Sequence, residues 1–508
     1  MQMTLKGDYF NGRFSHENGT GPTSNAQEKI SKTSPADLTQ KLWDCHVFYD
    51  HVDAVLESAQ RGFESWRKLT FTERAGYLKK YQERVRARKN EIATALALEV
   101  GKPYWEALTE AAALDSKVTV TITDSLKRIE TETIKDVMPK IDGHVVYKPL
   151  GPCFVIGPFN FPCHLANGQI LSALLGGNSV IFKPSEKTIY SAQLMMECFH
   201  EAGFPDGVIN FINGTGHTAS KITSDKRIKG VFFTGSRGVG MRILDNTYKD
   251  LNKLVALELG GKNSTIIHHD TNIDHALPEL LRSCFLTTGQ RCTSTSMILV
   301  HRKIEQQFIS RFKEVTQRIR VGHPIHSKPE AFMGPLIDEH AQKLYFDFCA
   351  IGMKEGAEEI LAPLKLDVGY EGYYVSPSIH YSAKPNLQGK FIQEEIFGPN
   401  SCFIPYDTIE EAISIANSTE YGLAASVFTR DPKIYELCLR DIDAGLINLN
   451  RSTVGATARL PFGGTKNSGN HHPAAVSMID HCVSPVSSLE TLDDSSSSLS
   501  DVVGLKDS

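Results

Sequence analysis

Cys292 sits in FLTTGQRCT, residues 285–293, and Glu258 sits thirty-four positions earlier in LELGGKN. A thiol becomes a strong nucleophile when a helix terminus or nearby donors stabilise its thiolate. Gly289, Gln290 and Arg291 put Cys292 at the end of a helical pattern rather than inside one. Glu258 follows an apolar run, 254–257, and precedes Gly260 and Gly261. A partly desolvated carboxylate at the mouth of a strand has the raised pKa that a general base needs. Asn160, in GPFNFPCH, offers a side-chain amide to a developing oxyanion. Taken singly, each has a blander reading: a buried structural thiol, a solvated glutamate, a turn-forming asparagine.

A second set of residues has the chemistry to hold a nucleotide. Lys183 and Glu186, in FKPSE, lie just past the carboxyl end of a strand, where ligands bind in open parallel sheets. They are suited to two ribose hydroxyls, or to a plain surface ion pair. Gly235, Ser236, Arg237, Gly238, Val239 and Gly240 form a turn after another strand, and its glycines permit close approach to a pyrophosphate at a helix start. The spacing is not GxGxxG, so an ordinary strand-to-helix turn fits equally well. In EEIFGP, Glu395 offers a carboxylate to a second ribose and Phe397 an aromatic face to a nicotinamide ring.

These residues need a frame, and 508 residues imply two or more domains. The chain is 41% hydrophobic and 22% charged, with a net charge of -5, which gives no signature of nucleic-acid binding. No apolar run approaches the roughly 18 residues of a membrane span, and the first residues lack a secretory apolar region. The ten cysteines are scattered without a CxxC pair, which favours reduced thiols in the cytoplasm over disulfides or a zinc site. No His/Cys cluster has metal-ligand spacing, so no metal is expected.

The pattern predicts a hairpin at 8–14 around Asn11-Gly12, a polar stretch of unreadable structure at 15–50, and helices over 52–66, 70–85 and 90–127. Two strands follow at 129–134 and 144–147, with a turn near Asp142-Gly143. Between 153 and 268, apolar strands alternate with helices, as in a parallel sheet covered on both faces. A second α/β region over 272–450 begins with a helix over 273–288. A last strand is expected at 481–490, and a disordered Ser/Asp-rich tail at 491–508.

In this order, GPFNFP, FKPSE, FTGSxxxG, LELGGKN, GQRC, EEIFGP and PFGGTKNSG resemble the aldehyde dehydrogenase superfamily, from about Asp8 to Glu490. The resemblance implies an α/β fold: a Rossmann-type cofactor domain (1–128 and 150–257), an α/β catalytic domain (258–450) and a β oligomerisation arm (129–149 and 481–490). It implies Cys292 as nucleophile, Glu258 as general base and Asn160, with the Cys292 backbone amide, as oxyanion donors. Lys183 and Glu186 match residues on the adenosine ribose, and a glutamate at 186 goes with NAD rather than NADP. Gly235, Ser236 and Gly240 match the pyrophosphate loop, and Glu395 the nicotinamide ribose. A homodimer or homotetramer is implied, and so is hydrolysis of a thioester rather than its transfer to coenzyme A.

A narrower resemblance lies in NFPCHLANGQI, NLNRSTVGATARLPFGG and SGNHHPAAVSMIDHC. These look like the branch that oxidises N-succinylglutamate 5-semialdehyde in bacterial arginine catabolism. Two segments depart from that branch: Ser294 to Met297 stand where an arginine-bearing segment is expected, and His472 where arginine is usual. A substrate with carboxylates needs cations or N–H donors, and Arg451 and His164 are the candidates. The alternatives are another semialdehyde, such as glutamate 5-semialdehyde, and a non-catalytic scaffold on the same fold.

Overall fold

The computed structural model describes residues 3–16, 26–492, 499 and 502–504. Two seven-stranded sheets carry the chain. In the first, Leu254–Glu258, Gly230–Thr234, Cys153–Ile156, Val180–Lys183 and Ile209–Phe211 run parallel, side by side in that order. The hairpin Tyr9–Phe10 and Arg13–Phe14 closes one edge, turning at Asn11 and Gly12 with φ of 52° and 75°. Apolar residues on both faces explain the parallel arrangement: Cys153 and Val155 enter one core, Phe154 and Ile156 another.

In the second sheet, Ser378–Tyr381, Asn400–Tyr406, Thr295–His301, Asn263–Ile267, Ala424–Phe428 and Leu446–Leu449 are parallel, and Glu358–Leu361 is an antiparallel edge. Met297 and Leu299 face one core, Ile298 and Val300 the other. Both sheets therefore have the covered parallel architecture that the alternating pattern predicts. A third sheet pairs Val483–Thr491 with Ile141–Pro149 and the latter with Glu132–Met138. Among the described residues no helix is long and apolar enough to cross a membrane.

Several local expectations are corrected. Within 15–50, Glu28–Ser34 and Asp37–Val47 form an antiparallel hairpin, while 17–25 lie outside the described residues. The turn expected near Asp142-Gly143 falls instead at Pro139-Lys140, where Lys140 has φ 64°. Asp142 lies in the strand, because its carboxylate accepts the Asp136 N–H across a bulge. The helix expected to reach 288 ends at Phe285, since Thr287 and Thr288 are left-handed. Thr491 belongs to the last strand. The rest of the expected disordered tail falls largely outside the described residues.

Glu99 shows how the helical layer is fastened to the first sheet. Its buried carboxylate accepts Trp43 Nε1–H at 2.6 Å from the hairpin, and the N–H groups of Tyr190 at 2.9 Å and Ser191 at 2.7 Å. The last two open the helix Ile189–Glu201, so one anion satisfies orphan donors at its N-terminus. A Glu99→Ala exchange leaves three buried donors without an acceptor. It should lower unfolding stability by roughly 3 kcal/mol, read as a shifted urea midpoint. A shift within experimental error would show that water replaces the carboxylate at no cost.

Candidate active site

Cys292 is held by its backbone rather than by its side chain. Asn263, at the start of its strand, donates from Nδ2 to the carbonyls of Cys292 at 2.7 Å and Ser294 at 2.9 Å, and accepts Ala424 N–H on Oδ1. Gly261 makes room: a Cβ there would stand 2.5 Å from the Cys292 carbonyl oxygen. Asn160 follows the strand Cys153–Ile156 and donates from Nδ2 to the Gln290 carbonyl at 2.9 Å. That amide has a second N–H, and the bond ties Asn160 to the residue two before Cys292, although Asn160 itself is not part of the cavity wall. Upstream, the left-handed Thr287 gives its backbone N–H at 3.1 Å, and its hydroxyl, to buried Glu106. Arg291 Nη2 donates to the same carboxylate at 2.5 Å. Burial works against the charge on Glu106, but Arg291 and Lys102 hold its pKa below the ordinary carboxylate range.

All ten cysteines are free, and Cys292 alone keeps part of its surface open, with its thiol still largely enclosed. It lines a cavity of about 190 Å³ together with Glu258, at the carboxyl end of the strand Leu254–Glu258. Neither carboxylate oxygen of Glu258 has a hydrogen-bond partner, and burial pushes its pKa well above 4.5. The segment that begins the PFGGTKNSG motif's last turn laces this strand edge. Leu259 N–H donates to Ser468 O, Asn470 N–H to Leu257 O, and Leu257 N–H to Asn470 Oδ1. Gly469, at φ 148°, is required because a Cβ would lie 2.3 Å from the Leu257 carbonyl oxygen. The Cys292 thiol is pushed up to about 12 by burial and by the carboxylates of Glu395 and Glu258, against Arg291. An unpartnered acid and a protonated thiol in one cavity suit nucleophilic attack followed by base-assisted hydrolysis.

The residues expected at a nucleotide gather at the carboxyl ends of the first sheet. Chain order reverses between Cys153–Ile156 and Gly230–Thr234, the crevice where open sheets bind ligands. There Gly235 leads into the helix Arg237–Thr247, whose first residues Ser236, Arg237, Gly238 and Val239 are exposed. A Cβ on Gly238 would meet nothing, whereas one on Gly235 would strike the Phe233 ring at 2.4 Å. The Arg237 side chain is turned away to Glu420 at 3.0 Å, so this residue offers its backbone. Lys183 is buried, with Nζ on the Pro184 carbonyl at 2.9 Å and the exposed Glu186 acting on its charge. Glu395 accepts Gly261 N–H at 3.0 Å, and burial raises its pKa to about 7. Phe397, at φ 52°, meets Phe159 edge-on at 5.7 Å. Open amides at a helix start, a buried lysine and a carboxylate beside the thiol fit a dinucleotide.

The two expected substrate residues part company. His164 lines the cavity, where burial and then Lys117 and Lys102 lower its pKa to about 4, so it is a neutral ring and not a cation. Arg451 is exposed and its side chain is not part of the cavity wall. Ser294 to Met297 and His472 are likewise absent from the wall. One wall residue, Lys117, escaped the motif reading, and the stretch from Gly455 to Ala458 was quoted within a motif but given no role. Lys117 had a signal, because Glu106, Glu110 and Lys117 share the buried stripe of their helix with Ala107, Ala111, Leu114 and Val118.

A thiol held this high should be slow to alkylate. In the free protein, the rate of iodoacetamide reaction at Cys292 should still be climbing at about pH 10. A Glu395→Gln exchange removes the carboxylate that acts most strongly on the thiol, so it should move the climb to lower pH. A plateau near neutral pH in the unsubstituted chain would contradict the electrostatics.

The model of the aldehyde dehydrogenase family matches residues 23–486. The N-succinylglutamate 5-semialdehyde dehydrogenase of Legionella pneumophila (strain Corby) is 37% identical over 96% of this chain and 95% of its own length. That of Burkholderia cenocepacia (strain HI2424) is 37% identical over 87% and 89%. The 1-pyrroline-5-carboxylate dehydrogenase from Thermus with bound NAD superposes with a TM-score of 0.87 at 27% identity, covering 96% of this chain and 93% of that one. Cys292 and Glu258 thus face one cavity in a fold that its relatives share from end to end, and the chain belongs to the aldehyde dehydrogenase family.

Proposed function

We propose that this chain oxidises N-succinyl-L-glutamate 5-semialdehyde to N-succinyl-L-glutamate with NAD, as a step of arginine catabolism in the cytoplasm. The observation that carries the chemistry is the unpartnered Glu258 carboxyl in the same cavity as Cys292. The substrate rests on relatives of that name at 37% identity over most of both chains.

The thiol of Cys292 gives its proton to a water molecule and, as the thiolate, attacks the aldehyde carbonyl. The second N–H of Asn160 and the Cys292 backbone N–H receive the oxyanion of the thiohemiacetal. Bound NAD supplies the hydride acceptor, and a thioester on Cys292 is left. Glu258 takes a proton from water, the resulting hydroxide adds to the thioester, and the acid leaves as the thiolate returns. A raised pKa suits this work, since Glu258 must accept a proton near neutral pH and release it again.

In this reading, 1–128 and 150–257 form the NAD-binding domain and 258–450 the catalytic domain. The wall stretch from Gly455 to Ala458 and the lacing segment around Gly469 belong functionally with the latter. Lys183 and Glu186 hold the adenosine ribose, the turn from Gly235 to Gly240 the pyrophosphate, and Glu395 the nicotinamide ribose beside Phe397. The arm, 129–149 and 481–490, joins subunits into a homodimer or homotetramer. Its exposed Ile134, Val137, Met138 and Leu489 supply apolar surface for that purpose.

The test is product identification. N-succinylglutamate semialdehyde with NAD should give N-succinylglutamate faster than glutamate 5-semialdehyde gives glutamate, and the reverse order would sink the narrow assignment. A Glu258→Gln exchange should lower steady-state turnover by roughly 10²–10⁴-fold while one NADH per site still appears in a burst, because only hydrolysis is blocked. A Glu186→Ala exchange should narrow the preference for NAD over NADP. An unchanged ratio would remove Glu186 from the ribose.

A further inference from the structure

The cavity wall contains a cation without a counter-charge. Lys117, 2% exposed, lies on the helix Tyr104–Val120 and lines the cavity with Cys292 and Glu258. Its ammonium donates to one group, the carbonyl of Ala475 at 2.7 Å. Ala475 is held at φ 58°, a left-handed conformation that a side chain disfavours. Next to Lys117 stands His164, whose buried Nδ1 has no partner. Gly168 keeps the space open: a Cβ there would approach Lys117 Cε at 3.2 Å.

The other buried lysines differ. Among the described residues, Lys32 feels Glu99 and Asp338, Lys102 pairs with Glu110, Lys183 feels Glu186, Lys253 feels Asp250, and Lys262 feels Glu395. Among the described residues no carboxylate acts on the Lys117 charge; the Cys482 thiol favours it, and the ammonium in turn disfavours a charge on His164. Arg291, the other cation in the wall, is already neutralised by Glu106. A buried ammonium with one neutral acceptor is costly unless something anionic joins it.

We propose that Lys117 is the specificity-determining residue of this cavity, receiving a carboxylate of the aldehyde substrate on its ammonium with the neutral ring of His164 as a second donor. Its pKa, lowered by burial to about 8, leaves it charged at neutral pH. The substrate carboxylate then replaces solvation that the folded chain denies the lysine, so acidic aldehydes gain affinity that neutral ones of equal length do not. This rests on the proposed oxidation of a semialdehyde bearing carboxylates, but it concerns the charge class and not the one compound.

The test compares kcat/KM for N-succinylglutamate semialdehyde, succinate semialdehyde and hexanal. It also measures inhibition by glutarate, in the unsubstituted chain and in Lys117→Met and Lys117→Arg. Lys117→Met should lower the acidic-to-neutral ratio at least about tenfold, through KM, and weaken glutarate in parallel, with Lys117→Arg retaining part of both. If the unsubstituted chain prefers succinate semialdehyde, the narrow substrate falls while Lys117 is tested equally well by that compound. Equal losses for acidic and neutral aldehydes, with glutarate inhibition unchanged, would reduce Lys117 to a structural tie and overturn the proposal. So would a chain with no acid preference to begin with.

Discussion

One side-chain amide joins the two halves of the catalytic apparatus: Asn263 Nδ2 holds the carbonyls of Cys292 and Ser294. The contact is possible because Gly261 lets two backbones meet where a Cβ would collide. Asn160 from the first sheet and Glu106 from the helical layer grip the same loop at Gln290 and Thr287. Three layers of the fold therefore converge on about six residues. Their agreement holds Thr287 and Thr288 in the left-handed region, at a cost on the order of 1–3 kcal/mol each. That strain turns the chain sharply out of the helix Ile273–Phe285 and delivers the thiol to the cavity at a point the helix itself would not reach.

The same convergence sets the electrostatics. A loop enclosed on three sides is dry, and dryness acts on neutral and charged forms unequally. It raises the Cys292 thiol and both neighbouring carboxyls, Glu258 and Glu395, together. Each of the three is thereby shifted towards its neutral form, and any positive charge brought beside the thiol favours the thiolate. Glu258 differs from Glu395 in having no hydrogen bond, whereas Glu395 is held by the Gly261 N–H. The unheld carboxyl is left without a partner in the cavity, and the held one is a fixed acceptor.

Much of this was legible in the sequence, and the reason is physical. LELGGKN and GQRC stand out together because a glycine and an asparagine of the first meet the backbone of the second, which restricts the residues both can carry. Parallel strands buried on both faces leave uninterrupted apolar runs, so the parallel, doubly covered character of the first sheet followed from pattern. What was hidden depends on partners remote in the chain. The hairpin of Glu28–Ser34 and Asp37–Val47 buries a lysine, Lys32, on the face it turns inward and exposes two others, Lys29 and Lys41, which blunts its period. Gly469 and Asn470 appeared in the sequence only as motif residues, yet they complete the edge of the strand that ends in Glu258. Arg451 looked like an anchor by adjacency to a strand end, but only its backbone carbonyl is used, by Ser426. Lys117 was overlooked because the buried stripe it shares with Glu106 and Glu110 is seen to border a cavity only in the folded chain.

The segment after Cys292 shows how a departure from a family's pattern can matter without touching substrate. Ser294 to Met297 stay out of the cavity wall, and Met297 is core. Thr295, however, accepts or gives a hydroxyl hydrogen bond to Thr453 at 3.0 Å and to Thr265 at 2.8 Å. Thr453 N–H in turn donates to Ser283 Oγ at 3.0 Å, and two residues later the chain becomes the wall from Gly455 to Ala458. A change in this segment is thus transmitted through hydroxyl contacts to the position of the wall. In a close-packed interior a small shift in one layer moves the next, so the shape of the cavity depends on residues that never meet the aldehyde.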